Sequence, residues 1–518
     1  MNLVVGPILG FRGSENGEWH TCALIVTPED AKPPKLRWSA EGAGESDADR
    51  ADLKLFDGLK AWRFDWGVEQ TDKEQKVEYA LTGDAERYAY NVPAKDRPPR
   101  IAYMSCAGFH DPKGVRDIKG RRNAMWEDLA QRHREQGAYH LMVMGGDQVY
   151  ADQIWEIIPQ LKSWIQKPLE EQEGEELTEE TMAQIGHFYS ELYSESWGEE
   201  ETAWVMSRIP ALMTWDDHDI FDGWGSRSTA LQNTRVYEQI YEIARDYFRL
   251  FQLQANDDED LPAAMLLKRD GGVERKNLTY TYRIGNDVAL AMLDMRSERT
   301  RERVMGPETW EALRGWMQRN LNGCKHLLIV SSIPVVYVDS NMLEGALGLV
   351  PGQQDLEDDF RDQWQSRAHL QERLDLIHEL FDLAKDKHCR ATIVSGDVHL
   401  AALGHIASEL DGRSPAEANA IVQLISSPLV NTPLSGKVIF LMEKAITLMG
   451  ILGRKGEEVD RGIRAEMLQL PGSNQHFIKA RNWLSLELDE QRRISVRWYA
   501  EDKEVPYTKV IRPINVTT

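Results

Sequence analysis

Three short apolar runs, each followed directly by an acidic motif, constrain the fold of this chain more than any other feature of its sequence. The runs are residues 141–144, 209–213 and 391–394. Short apolar runs bounded by turn residues are typical of buried strands in an α/β sheet. Residues just beyond the carboxyl ends of such strands converge on one crevice. The pattern therefore predicts an α/β fold that brings the three motifs together in space.

The three motifs consist of residue types that bind metal ions or transfer protons. They supply Asp147, Asp217, His218, Asp397 and His399. The second motif reads Trp-Asp-Asp-His-Asp, and the third places an Asp and a His two residues apart, on one side of an extended segment. Carboxylates and imidazoles gathered so closely would repel one another unless a cation lay among them. We therefore predict one or two bound metal ions, with the imidazole of His218 placed for proton transfer.

Each motif also has a plainer interpretation when it is taken alone. Asp147 could serve as the N-cap of a following helix, which is a common role for Asp after a strand. Tyr150 could be a phenolate ligand or an aromatic side chain packed on the sheet edge. The motif at residues 215–219 could be an exposed acidic turn. If the four successive ionisable residues had only a structural role, their desolvation would carry a large cost in free energy. This cost favours a metal site over an acidic turn.

A cysteine occupies the position after a fourth apolar run, residues 101–104. Ser105 and Cys106 follow this run, where a ligand of the same site would lie. A cysteine is commonly a small buried apolar residue, but a thiolate here would favour a softer ion such as iron or zinc. The other cysteines, Cys22, Cys324 and Cys389, show no CxxC spacing. Neither a disulfide framework nor a structural zinc site is predicted.

Composition excludes several classes of protein. The formal net charge of −23 over 518 residues predicts that nucleic acid is not a partner. The first seven residues have no basic region, no long apolar stretch and no twin arginine, which predicts a cytoplasmic protein. The apolar stretch 438–452 is too short to span a membrane and contains Glu443 and Lys444. It is interpreted as a partly buried helix, with a membrane-facing or lid role as the alternative, and no stable membrane insertion is expected.

The chain divides by pattern into two domains. Short alternating segments with turns between them predict a small β-sandwich over residues 1–95, and a proline-containing linker follows at 94–99. From residue 100 to 518, strands alternate with helical patterns, which indicates an α/β domain. Helices are predicted at 121–136, 229–251, 307–321 and 363–387, a solvated insertion with helical content at 168–180, and a hairpin at 483–488 and 494–499.

The motifs and their order resemble the PhoD-type alkaline phosphatase family of the calcineurin-like metallophosphoesterases. The resemblance rests on Ser-Cys at 105–106, Gly-Asp-x-x-Tyr at 146–150, Trp-Asp-Asp-His-Asp at 215–219, Leu-Asp-x-Arg at 293–296 and Ser-Gly-Asp-Val-His at 395–399. It covers roughly residues 100–500. It implies a four-layer α-β-β-α sandwich, preceded by a small N-terminal β-sandwich domain.

The resemblance also implies a ligand set for two metal ions. The residues at the family's ligand positions are Cys106, Asp147, Tyr150, Asp217, Asp397 and His399. Asp147 would bridge the ions, and Cys106 and Tyr150 match positions used around a ferric ion with calcium at the neighbouring site. Zinc and manganese are the alternatives. The metal-binding His that often precedes the last pair is replaced here by Ser-Ser-Ile-Pro at 331–334.

The implied activity is hydrolysis of small phosphate esters, as a phosphomonoesterase, a phosphodiesterase or both. A metal-bound hydroxide would act as the nucleophile, His218 would assist the leaving group, and Arg296 would help to neutralise the phosphate oxygens. The alternative from another class is a non-catalytic metal- or ligand-binding protein on the same fold. The absence of a visible twin-arginine leader departs from the exported members of the family. No oligomeric state is predicted.

Overall fold

A computed structural model describes residues 3–83, 86–109, 121–257, 260–267, 275–338, 364–408, 419–451, 456–501 and 503–514. In chain order its strands are β1 (Val5–Glu15), β2 (Glu18–Pro28), β3 (Leu36–Ala40), β4 (Ser46–Asp47), β5 (Asp49–Phe56), β6 (Leu59–Glu69), β7 (Gln75–Leu81), β8 (Tyr88–Val92), β9 (Ile101–Met104), β10 (Leu141–Gly145), β11 (Ala211–Thr214), β12 (Tyr280–Ile284), β13 (Val288–Met292), β14 (His326–Ser331), β15 (Arg390–Ser395), β16 (Ala401–Ser408), β17 (Ala420–Ser426), β18 (Glu457–Asp460), β19 (Ile463–Leu468), β20 (Phe477–Ile478), β21 (Asn482–Leu488), β22 (Ile494–Ala500) and β23 (Tyr507–Ile511).

Helices separate many of these strands. They are α1 (Ala124–Glu135), α2 (Ile154–Ile157), α3 (Pro159–Trp164), α4 (Leu169–Gln172), α5 (Glu179–Gly198), α6 (Glu200–Met206), α7 (Thr229–Gln232), α8 (Arg235–Tyr247), α9 (Pro307–Asn320), α10 (Leu370–Lys387) and α11 (Gly436–Ile451), with a π-helical turn at Phe248–Gln252 after α8. The predicted helices and the hairpin are present with ends that differ by a few residues, except that the predicted helix 229–251 is divided into α7, α8 and the π-helical turn. Of the predicted helix 363–387, residue 363 lies outside the described residues, residues 364–369 form turns, and the helix begins at Leu370.

Two large sheets form the centre of the described structure. The first has the order β23-β22-β21-β9-β10-β11-β1-β2-β6-β5, and the second has β12-β13-β14-β15-β17-β16-β19-β18 with β20 beside β16. Strands β9, β10 and β11 are parallel neighbours, as are β13, β14, β15 and β17. Among these, β9, β10, β11 and β15 are the apolar runs that the sequence predicts as strands. Their carboxyl ends therefore lie along shared edges of the two sheets.

The two sheets share one core. Val143 and Leu212 of the first sheet belong to the same buried cluster as Leu290, Leu328 and Val394 of the second. The residues that alternate with these in the second sheet, such as Ala289, Ile329 and Ile393, pack instead with α9, α10 and α11. The α/β prediction is confirmed, with helices on the outer face of the second sheet. The complete four-layer arrangement stays a prediction.

The N-terminal strands differ from the separate sandwich that the sequence predicts. A small sheet, β4-β3-β7-β8, does pack against a larger one, where Trp66 contacts Tyr79 and Tyr90. However, that larger sheet is the ten-stranded sheet itself, because β1 pairs in parallel with β11 at Gly10 and Ala211. The N-terminal strands therefore extend the sheet that carries the acidic motifs. The domain limits at 95 and 100 stay a prediction.

No helix in the described part of the chain is long and apolar enough to cross a membrane.

Candidate functional site

The carboxyl ends of five strands meet at the acidic motifs. These strands are β9, β10, β11, β13 and β15. The side chains that follow them within a few residues are, in chain order, Cys106, Asp147, Asp217, His218, Arg296, Asp397 and His399. These seven side chains, with Tyr150, form the set that the sequence nominates, and the structure brings that set together. The alternative role of Asp147 as a helix N-cap is not seen, because the next helix begins only at Ile154.

Asp147 lies at the centre of the cluster. Its Oδ2 accepts hydrogen bonds from the Cys106 thiol at 3.5 Å and the Tyr150 hydroxyl at 3.4 Å. The same hydroxyl lies 3.3 Å from Nε2 of His399. Cys106 also reaches the backbone carbonyl of Asp397 at 3.9 Å. A thiol, a phenol, a carboxylate and an imidazole therefore share one small volume.

Further carboxylates crowd Asp147. One oxygen from each of Asp147, Asp216, Asp217 and Asp397 lies within 4.8 Å of the others, and Asp147 and Asp217 form a similar group with His218. Asp147 is 1% exposed, and its Oδ1 receives no hydrogen bond from any described residue. A buried carboxylate oxygen without a donor is costly, and a cation among these oxygens would remove that cost.

Four of the candidate ligands adopt a left-handed backbone conformation. The φ angles are 55° at Cys106, 57° at Asp147, 66° at Asp397 and 52° at His399. Residues other than glycine seldom adopt this conformation, and it clusters at functional sites where the surroundings enforce it. The chain thus turns sharply after β9, β10 and β15, which aims each side chain back over the sheet edge.

Two glycines permit the loops to approach so closely. A Cβ on Gly146, whose φ is 111°, would lie 2.7 Å from Cβ of Asp216 and 3.1 Å from Cβ of Ser332. A Cβ on Gly396 would lie 2.1 Å from Oγ of Ser105. Any side chain at either position would push the ligand-bearing loops apart.

Asp219 joins two of these loops. Its carboxylate accepts hydrogen bonds from the backbone N–H groups of Asp147, Gln148, Val149 and Asp216 at 2.8–3.2 Å, and from Nε2 of Gln252 at 2.9 Å. Both oxygens are therefore fully used by the protein. Burial raises the pKa of Asp219 to about 7, although these donors oppose the shift. Asp219 fixes the turn that carries Asp147.

Arg296 is buried beside the carboxylates. It is 1% exposed, donates from Nε to Asp216 Oδ1, and places Nη2 3.3 Å from Asp217 Oδ1. Its Nη1 donates to the carbonyl of Trp224 at 3.0 Å. Ser332, in the segment that replaces the family's histidine, donates to Asp216 Oδ1 at 2.7 Å. Arg296 therefore balances part of the negative charge and holds two of the aspartates.

His218 is oriented by a carboxylate that sequence reasoning missed. Asp152 accepts from Nδ1 of His218 at 2.9 Å, and Tyr150 stacks on the imidazole at 4.3 Å. Burial opposes protonation of His218, but Asp152 and Asp217 outweigh it and raise its pKa well above the ordinary value. Asp152 follows Tyr150 by two residues, and this short spacing is the sequence feature that could have indicated that Asp152 lies near the site.

The pKa values of the other site groups show how the protein alone treats their charge. Burial raises the pKa of Asp147 well above its usual value, with Asp216 and Asp217 adding to the shift and His218 opposing it. Burial and nearby negative groups likewise raise the pKa of the Cys106 thiol and of the Tyr150 phenol. A bound cation favours the anionic form of all three groups. The donor set therefore fits a metal ion.

Other residues were also missed by sequence reasoning. Asp216 belongs to the quoted motif but was not singled out. Asn431 follows β17, and its side chain forms a hydrogen bond with the side chain of Tyr150. The backbone N–H of Asn431 donates to the carbonyl of Cys106 at 3.3 Å. No sequence pattern marks Asn431, because its segment reaches the site only through the sheet order.

Known structures share this fold. The structure of PhoD matches with a TM-score of 0.54 and 11% identity, over 98% of this chain and 92% of that chain. Purple acid phosphatase PPD1 from yellow lupin seeds matches with a TM-score of 0.51 and 10% identity, over 98% and 74% of the two chains.

Sequence comparison gives a curated relative and a family. The uncharacterized protein YGR266W of Saccharomyces cerevisiae is 28% identical over 532 residues, which cover 86% of this chain and 75% of that protein. The family model described as PhoD related phosphatase matches residues 68–350 and 338–481. Because these segments span most of the chain and contain the whole of the site, the protein belongs to the PhoD-related phosphatase family.

Proposed function

We propose that the protein is a metal-dependent hydrolase of small phosphate esters. The observation that carries the proposal is the buried cluster around Asp147, in which one carboxylate oxygen has no described donor and three more carboxylates lie within 4.8 Å. Arg296 and His218 are the described basic side chains at this cluster, and its four carboxylates exceed the charge that these two can balance. The family and its phosphatase neighbours in structure support the same reaction class.

The metal ligands in the proposal are Cys106, Asp147, Tyr150, Asp217, Asp397 and His399. Bound cations would supply positive charge to the phosphate oxygens and activate a water molecule as the nucleophile. The thiol and the phenol contact Oδ2 of Asp147, and Asp217 belongs to the group of carboxylates around Asp147. We therefore assign iron to the Cys106 side and a harder ion such as calcium to the Asp217 side.

The protein's own groups orient the substrate and move the proton. Asp152 fixes Nδ1 of His218 and so sets the direction of the ring, and the proposal assigns Nε2 to the leaving oxygen. Asp152, which accepts from Nδ1 and raises the pKa of His218, favours the protonated imidazole that can donate. Arg296 holds Asp216 and Asp217 in place, so it acts first on the carboxylates, and its contact with a phosphate oxygen stays a prediction.

The first experiment compares mono-aryl and bis-aryl phosphates as substrates for the purified full chain, before and after chelation and with metals added back. Hydrolysis of either ester that is lost on chelation and regained with metal supports the proposal. An exposed-acid variant, Glu490→Gln, serves as the control and should behave as the wild type. Protein that binds metal but turns over neither ester would favour the alternative, a non-catalytic binding protein.

Metal identity needs a separate test. A ferric ion with thiolate and phenolate ligands absorbs visible light, so we expect a coloured protein whose elemental analysis shows iron. The Cys106→Ser variant should lose or shift that absorption. A colourless, iron-free and fully active wild type would contradict the iron assignment and leave the hydrolase proposal standing.

A further inference from the structure

Helix α11 presents apolar side chains on both of its sides. Val438, Ile439 and Met442 are buried in the core beneath the second sheet. On the opposite side Phe440 is 59% and Leu448 is 54% exposed. A helix in water normally keeps its outer side polar, so exposed apolar residues in a row indicate a contact that the isolated chain does not make.

Lysines alternate with these exposed apolar residues. Lys437 and Lys444 are exposed and stand three residues before and four residues after Phe440, and Leu448 follows four residues later. This spacing places all four on one side of the helix, over a length of about 16 Å. The ammonium group of Lys444 lies 5.3 Å from the ring centre of Phe440.

A cleft beside α11 continues the same surface. It has a volume of about 700 Å³ and lies between α11 and two other parts of the chain, the segment 475–480 and residues 500, 501, 503 and 507. Lys479 and Lys503 line it opposite Phe440 and Lys444. Val505, in the loop after Lys503, is 67% exposed. We call Lys437, Phe440, Lys444, Leu448, Lys479 and Lys503 the α11 face.

The charge of the α11 face is positive. Among the described residues, lysines that pair with a carboxylate are Lys54, Lys76, Lys167 and Lys276, and none of these belongs to the face. The nearby carboxylates are engaged elsewhere, since Glu443 accepts from His476 and Glu501 pairs with Arg481. Glu504 is an exposed carboxylate beside Lys503. Among the described residues of this surface, the lysines therefore outnumber the exposed carboxylates.

This positive patch stands out because the whole chain carries a net charge of −23. At physiological ionic strength charges more than about 8 Å apart in water are largely screened. The α11 face can therefore attract an anionic surface that the rest of the protein would repel. Lysines beside exposed aromatic and aliphatic side chains are typical of helices that lie in the interface of a membrane.

We propose that the α11 face docks the protein on an anionic lipid bilayer. The apolar side chains would enter the headgroup region while the lysines contact acidic headgroups. A soluble ligand in the cleft is a poorer match, because Leu448 and Val505 are exposed but are not among the residues that line it. A bilayer can contact the exposed side chains of α11 and the residues at the edge of the cleft at the same time.

The α11 face begins close to the candidate site. Just before α11, the backbone N–H of Leu434 donates to the carbonyl of His399 at 2.9 Å. Docking would therefore bring the rim of the site near the lipid surface. The docking proposal does not depend on the phosphoesterase proposal, because it rests on the helix and cleft residues and not on the metal ligands.

The test is co-sedimentation of the full-length protein with lipid vesicles. Vesicles of phosphatidylcholine are compared with vesicles that contain one third phosphatidylserine, at low and high salt. We expect binding to the anionic vesicles only, weakened at least ten-fold by high salt. The variants Lys444→Glu/Lys479→Glu/Lys503→Glu and Phe440→Ser/Leu448→Ser should each lower the partition constant at least ten-fold.

Matched variants elsewhere on the surface provide the controls. Ile157 and Ile165 are 56% and 46% exposed, so Ile157→Ser/Ile165→Ser removes similar apolar area from another region. Lys73→Glu/Lys162→Glu/Lys385→Glu reverses three exposed lysines that lie off the face. These controls should bind vesicles as the wild type does. Equal losses in the control and α11 variants, or no binding by the wild type, would overturn the proposal.

A labelled variant locates the contact directly. The four native cysteines are buried, so a cysteine introduced at Leu448 or at Ile157 can be labelled selectively with a polarity-sensitive fluorophore. Anionic vesicles should increase the emission of the label at 448 and leave that at 157 unchanged. Response of both labels, or a dimer in solution that depends on Phe440 and Leu448 without vesicle binding, would exclude a bilayer as the occupant.

Discussion

Two groups of buried carboxylates lie side by side at the carboxyl edge of the sheets, and the protein treats them differently. Asp219 accepts from four backbone N–H groups and one side-chain amide. Asp294 accepts from the indole of Trp215 and from the backbone of Leu278, Arg296 and Ser297. By contrast, Oδ1 of Asp147 has no described donor.

The difference distinguishes aspartates that can bind a metal ion from aspartates that hold the site residues in position. A carboxylate that receives donors at both oxygens is stabilised by the protein and has no capacity left for a metal ion. A buried carboxylate with an oxygen left over depends on a cation that the protein itself does not supply. Asp219 and Asp294 are therefore assigned to positioning, and Asp147 is assigned to metal binding.

The largest effect is expected for Asp147→Asn. Loss of the central ligand should remove bound metal and lower kcat/KM by on the order of 10³-fold, since a bound cation contributes several kcal/mol to the transition state. In metal-free protein the free energy of unfolding should stay equal or rise, because a buried charge is removed. Elemental analysis measures the bound metal, steady-state kinetics measure kcat/KM, and denaturation measures the free energy of unfolding. A variant that keeps full metal and turnover would show that Asp147 is not a ligand.

A smaller kinetic effect is expected at His218, which neither group includes. His218→Gln should lower kcat about 10²-fold, as expected for loss of a general acid, while metal content stays at the wild-type level. Asp152→Asn should lower kcat less, about 10-fold, because the imidazole stays but loses its orienting partner. If the His218 variant retains full activity, or loses its metal as Asp147→Asn does, the proton-donor role is wrong.

Asp219→Asn should destabilise the metal-free protein, whereas Asp147→Asn should not. The amide presents N–H groups to donors that need an acceptor, so the free energy of unfolding should fall by about 3 kcal/mol. Metal affinity should fall as well, because the turn that carries Asp147 loses its anchor. Urea denaturation of the metal-free protein measures the first effect, with the exposed Asp382→Asn as control. A neutral effect on stability would break the distinction between the two groups.

The smallest effect is expected for Gly146→Ala, which tests how tightly the loops must approach. The added Cβ would meet Asp216 at 2.7 Å, so we expect a loss of about 1–3 kcal/mol in the free energy of unfolding together with reduced metal affinity. Gly323→Ala is the matched control, since Gly323 also has a positive φ but nothing within 4 Å of a Cβ. The control carries the backbone strain alone and should leave metal binding unchanged. Equal behaviour of the two variants would show that the close approach is unimportant.

Much of the fold was predictable because its strands carry strong local signals. The run before Cys106 is predicted and observed as Ile101–Met104, and the hairpin near the end of the chain is also confirmed. The N-terminal strands were predicted as strands, but their place in the ten-stranded sheet was not. Pairing of β1 with β11 joins Gly10 to Ala211, and no local pattern reports a contact between segments so far apart.

The sequence by itself determined the α/β class, the order of the motifs, and most of the residues that meet at the site, because residues that follow parallel strands share one sheet edge. Only the tertiary structure decided which aspartates are satisfied by the protein. The bond from the backbone of Asp147 to Asp219 spans 72 residues, and that from Arg296 to Asp216 spans 80. A carboxylate's function in this site depends on the number of donors that reach it, and those donors come from distant segments that only packing brings together.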